Sequence, residues 1–182
     1  MKSILISIRP KWTEKIANGE KTIEVRKTAP QEVPFKAYIY ETQGQYVKFT
    51  HGAHTKYGYG RGKVIGEFIC DKVYSIKNRG SSFSVADEEQ SVTNEIARQS
   101  CLYYDDMVSY FGNKDGFGWH ISDLKIYDKP KELSEFCIPC KVSCENCKNP
   151  LYFECWCEEK GKKIVTRPPQ SWCYVEDLGE EK

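Results

Sequence analysis

A chain of 182 residues can bury a real core and sits near the usual size of one domain. Its 27 basic and 26 acidic residues leave a formal net charge of +1, so any nucleic-acid binding must come from a local patch and not from a globally basic surface. The longest apolar run at the N-terminus, Ile4-Leu5-Ile6, is too short for a bilayer or a secretory signal, which predicts one soluble, cytoplasmic domain over 1–182 with no membrane segment.

In chain order, strands are predicted near 3–8, 21–27, 36–42, 62–76, 117–127 and 171–176, with helices near 10–18, 92–100 and 104–111. Pro10 suits a first helical turn, and Gly19 the residue just past the helix end. Strand alternation after Gly19 sends Ile23 and Val25 to one face and Thr22, Glu24 and Arg26 to the other. Glu24 and Arg26 then project side by side at roughly 7 Å, with Lys21 at the strand's mouth. Such a set can supply an acid, a base and an anion holder; it is equally what the outward face of an ordinary half-buried strand carries.

From Gln43 to Arg61, Tyr46, Lys48, His51, His54, Lys56, Tyr57, Tyr59 and Arg61 interleave rings and cations among glycines. A loop of that chemistry can lay rings on bases while its cations meet phosphates, and it can also be a plain surface loop. Lys77 to Gln90 reads as a surface loop or the lead-in to a helix, not a domain linker. Tyr104, Met107, Val108 and Phe111 fall at helical spacing and are expected in the core. Phe117, Trp119 and Ile121 share one strand face, with His120 and Ser122 on the other. His120 is a candidate proton carrier and ligand contact, or a histidine hydrogen-bonded at a barrel rim.

The run Gly19, Lys21, Glu24, Arg26 after a strand and a short helix resembles the Gly-x-Lys-x-x-Glu-x-Arg signature of the ASCH family, in the PUA-like superfamily. The resemblance continues through 36–42, 62–68, 118–124 and 167–175, and so covers most of the chain apart from a cysteine-rich insert. It implies an α+β chain built as a PUA-like β-barrel with flanking short helices, of a type found in bacteria and their prophages. It also implies single-stranded RNA or a nucleotide as the partner. Lys21, Glu24 and Arg26 would be the catalytic set; Lys56, Tyr57 and Arg61 from the ring-and-cation loop, and His120 from its strand face, are the expected RNA contacts. Lys21 and Arg26 would hold a phosphate or oxyanion while Glu24 acts as general base, in a ribonuclease or an amidohydrolase acting on a modified nucleoside. The chain departs from some acyl-removing relatives in carrying Glu24 where they carry threonine. The other reading is a non-catalytic adaptor in which Glu24 and Arg26 merely pair.

Nine cysteines without a secretion signal point to a reducing compartment, where clustered thiols hold metal more often than they form disulfides. Six of them, Cys137, Cys140, Cys144, Cys147, Cys155 and Cys157, crowd into an insert at about 137–160. Their paired spacing predicts one structural, tetrahedral zinc on Cys140, Cys144, Cys147 and Cys157, with Cys137 and Cys155 as alternates. Cys70, Cys101 and Cys173 stand alone and are expected to be buried, apolar-like thiols.

Overall fold

The computed structural model describes residues 1–48, 56–80, 82–139 and 163–179. The first strand, β1 (Lys2–Ile8), is the organising element, because its apolar run is buried on both faces. Ile4, Ile6 and Ile8 pack with Phe35, Ile39, Phe68 and Trp119 on one side. Leu5 packs with Tyr38, Val64 and Phe136 on the other. A strand covered on both faces reads as a continuous apolar run and does not alternate.

Helix α1 (Pro10–Ala17) follows, then β2 (Ile23–Arg26) and β3 (Phe35–Glu41), which returns parallel to β1 with Leu5 opposite Tyr38. Two strands flank this pair: β11 (Trp172–Val175) beside β1 and β6 (Lys63–Cys70) beside β3. With β10 (Ser122–Lys131) at the edge, the five-stranded sheet has the order β10-β6-β3-β1-β11. A second sheet, ordered β2-β9-β7-β8, contains β9 (Gly116–His120), β7 (Val73–Asn78) and β8 (Phe83–Val85). Helices α2 (Gln90–Ser100) and α3 (Tyr104–Phe111) cover it, and Ile96, Met107 and Phe111 close a third core over Ile23, Val25 and Ile76.

The mixed α+β class agrees with the sequence reading, but among the described strands no closed barrel forms. The chain passes between the sheets at two corners. The single strand expected over 62–76 breaks at Asp71-Lys72 into β6 and β7, and that over 117–127 breaks at Ile121 into β9 and β10. The corners are tied by hydrogen bonds from His120 N to Lys72 O at 2.9 Å and from Ile121 N to Thr22 O at 2.8 Å. A strand that turns from one sheet into another keeps its apolar pattern through the bend, so periodicity alone cannot find the break.

Three further strands fall where loops were expected. β4 (Gln45–Lys48) and β5 (Lys56–Tyr59) pair within 43–61, and β8 falls within 77–90. In α3 only Met107 and Phe111 are buried, whereas Tyr104 and Val108 are exposed, so half of that expected core face meets solvent.

The cysteine-rich insert leaves the core through a closed neck. Cys137 and Ile164 form an antiparallel bridge, flanked by hydrogen bonds from Ile138 N to Lys163 O and from Val165 N to Phe136 O, both 2.8 Å. Phe136 and Val165 on either side are buried. The expected ligands Cys140, Cys144, Cys147 and Cys157, and the alternate Cys155, lie outside the described residues. Among the described residues no helix is long and apolar enough to cross a membrane, and no group of three or more His, Cys, Asp or Glu side chains gathers as a metal site.

Candidate functional site

The end of α1 sets the site's geometry. Glu20 N and Lys21 N both turn back to Lys15 O, at 2.9 and 3.1 Å, and Gly19 takes the left-handed φ of +73° that this reversal requires. The turn carries the Lys21 side chain inward beneath Trp12, with its Nζ 5.3 Å from the ring centroid. There it is 2% exposed and donates to Ile23 O at 2.8 Å and to Ser100 O at 2.6 Å. Ser100 closes α2, so its carbonyl is one that the helix leaves without an internal partner and that a cation satisfies well.

Glu24 sits between two cations. Its Oε2 is 3.4 Å from Lys21 Nζ and its Oε1 is 3.0 Å from Arg26 Nη2. The same Nη2 donates to Ser7 O of β1 at 2.7 Å. Glu24 and Arg26 are 5% and 8% exposed, so this is a buried ionic cluster and not a solvated strand face. Glu24 Oε2 and Arg26 Nε are buried without a hydrogen bond, since the Lys21 contact at Oε2 is close enough for an ion pair but not aligned as a hydrogen bond. Burial pushes the Lys21 ammonium below its usual value of 10.5, with the Glu24 charge opposing the shift.

The cluster floors an open cleft of about 450 Å³. Trp12 from α1 and Tyr110 from α3 supply aromatic walls, and Arg9 and Lys11 stand at the rim. Ser7 pins the remaining rim segment: its hydroxyl donates to Pro169 O at 2.6 Å, and its N–H donates to Ser171 O at 3.0 Å. In all, Arg9, Lys11, Lys21 and Arg26 face Glu24 and Asp106, four cations to two anions.

The structure therefore brings Lys21, Glu24 and Arg26 together on one cleft. The other expected contacts fall elsewhere. Arg61 is exposed, and its N–H donates at 2.8 Å to Glu41, the carboxylate that also accepts from Thr13. His120 pairs with Asp71, Nδ1 to Oδ1 at 2.6 Å, at the sheet corner, and this bond holds the Asp71 carboxyl below the usual range. Neither Arg61 nor His120 lines the cleft. Lys56 and Tyr57 contribute backbone to β5, and their side chains lie outside the described set. The residues missed from sequence are Arg9, Lys11, Trp12 and Tyr110. The cation-aromatic cluster Arg9-Pro10-Lys11-Trp12 at a helix start was the available signal for the first three.

No family model matches the chain, and no curated protein is detectably similar to it. Solved structures do match. ASCH from Zymomonas mobilis is 17% identical, with a TM-score of 0.53 over 96% of this chain and 88% of that one. A tyrosine-to-phenylalanine variant of that protein matches at 16% identity and the same TM-score, over 97% of this chain and 91% of that one. The chain thus has an ASCH-domain fold over most of its length.

Proposed function

We propose that this chain is an RNA-binding protein of the ASCH type, whose cleft receives a phosphate of single-stranded RNA or of a nucleotide. The surplus of two cations between Trp12 and Tyr110 carries this reading, because rings stack on bases while buried and rim cations meet the backbone. Lys11 already lies 4.1 Å from the Trp12 ring centroid, so cation and stacking surface are presented together. A second reading, hydrolysis, rests on Glu24 Oε2, a buried carboxylate oxygen without a hydrogen bond beside the cleft. On this reading a bound ligand opens a path to that oxygen, which then accepts a proton from an attacking hydroxyl or water while the Arg26 and Lys21 charges stabilise the negative charge that develops.

Replacing Arg9 and Lys11 by alanine should weaken single-stranded RNA binding and reduce the salt slope by about 0.7 for each phosphate that the protein then leaves un-neutralised. Fluorescence titrations at several salt concentrations give both quantities. An unchanged affinity and slope would remove RNA from this cleft.

The cysteine insert is proposed to hold one structural zinc, supported by the thiol spacing and by the bridge between Cys137 and Ile164 that brings its two ends together. Elemental analysis should find about one zinc per chain, and a chelator should expose the insert to protease while the two sheets stay folded. Protein lacking zinc yet equally protease-resistant would rule the metal out.

A further inference from the structure

A second cavity, of about 1080 Å³, opens between α1 and the α2–α3 corner. It shares Lys11, Trp12, Leu102 and Asp106 with the first cleft, so the two lie side by side. Their chemistries differ. In the second cavity Lys11, Lys15 and Arg98 meet Glu14, Glu20 and Asp106, three cations to three anions. Lys15 is also neutralised by Glu20 at 2.7 Å, and Arg98 by Glu95. No surplus charge remains there to hold a phosphate.

Rings mark this second space instead. Tyr46, Tyr103 and Tyr104 line it along with Trp12. The Tyr46 ring lies against its cross-strand partner Gly58, where an added Cβ would come within 2.5 Å of the ring. Tyr103 is 82% exposed and Tyr104 43%, leaving large apolar faces in water at the mouth of a cavity. A neutral, tyrosine-lined chamber beside a cationic one matches the alternation of base and phosphate along a strand.

We propose that the second cavity is a base-stacking subsite, so that the ligand spans at least two nucleotides: one in the first chamber, with its phosphate on the cations and its base between Trp12 and Tyr110, and the base of the next against Tyr103. The inference rests on the RNA-binding reading of the first chamber. An apolar peptide segment is the competing occupant, but the shared wall of Lys11 and Trp12 ties this space to the cation-rich cleft.

The test is calorimetric titration of the full chain with adenosine 5′-monophosphate and with the 5′-phosphorylated adenylate dinucleotide. The dinucleotide should bind tenfold or more tighter, within the range that one stacked base contributes. Tyr103→Ala should abolish that gain and leave the mononucleotide affinity unchanged, and Tyr103→Phe should keep the gain, because the ring and not the hydroxyl is required. Tyr103 is exposed, so both variants should melt like the parent. Equal affinity for the two ligands, or a Tyr103→Ala loss shared equally by both, would overturn the subsite while leaving the first chamber intact. Failure of the parent protein to bind either ligand would overturn the RNA-binding reading and the subsite with it.

Discussion

Glu24→Gln should destabilise the protein by about 3 to 5 kcal/mol, the range for breaking a buried ion pair by removing one partner. The amide is nearly isosteric, and its oxygen can still accept from Arg26. Its N–H₂ group, however, faces the Lys21 ammonium, and two cations that are 2% and 8% exposed lose their shared anion. For a chain of this size the melting temperature should fall by roughly 10 °C. Glu20→Gln is the control, because Glu20 is exposed and its pair with Lys15 is solvated. If Glu24 is also a general base, turnover measured below the variant's melting range should drop by about 10² to 10⁴. Mass spectrometry of RNA and acylated nucleosides incubated with each protein reads this directly. A variant that melts with the parent would refute the buried-cluster description, and identical products from both proteins would leave Glu24 without a catalytic role.

From sequence alone the same substitution looks silent for folding, and the reason lies in what β2 conceals. Alternation correctly separates Ile23 and Val25 from Glu24 and Arg26. It cannot show that both faces are buried, because the covering groups come from afar: Ser7 O from β1, Ser100 O from α2 and Trp12 from α1. No local spacing encodes a carbonyl 79 positions away. β1 was legible because a two-sided core demands consecutive apolar residues. The β4–β5 hairpin was not, because the glycines that mark a loop include Gly58, which is there to admit the Tyr46 ring. His120 shows the converse: an imidazole on the polar face of its strand suggested a proton carrier, but the chain's bend pairs it with Asp71, the hydrogen-bonded alternative.

Lys21→Met should lower affinity for anionic ligands tenfold or more while costing less stability than Glu24→Gln. The Lys21 ammonium donates inward to Ile23 O and Ser100 O and lies 3.4 Å from Glu24 Oε2 as an ion pair, so Lys21 acts on a ligand through its charge and through the position of Glu24. Methionine fills the same space and leaves Glu24 paired with Arg26, so no buried charge is stranded. What is lost is two hydrogen bonds to a charged donor, about 1.5 to 3 kcal/mol each before the relief of desolvating the ammonium is subtracted. The pH dependence separates these contributions. Burial sets the folded-state value of Lys21 below its unfolded 10.5. Between those values the unfolded chain binds more protons than the folded one, so this group's contribution to stability rises with pH, is complete above 10.5 and is lost as pH falls through the folded value. The stability of the parent relative to Lys21→Met should therefore increase as pH climbs toward 10.5. The other lysines are common to both proteins and cancel in the difference. Chemical denaturation at a series of pH values supplies the two curves, and curves that run parallel up to pH 10.5 would show that Lys21 titrates as an ordinary, solvated lysine.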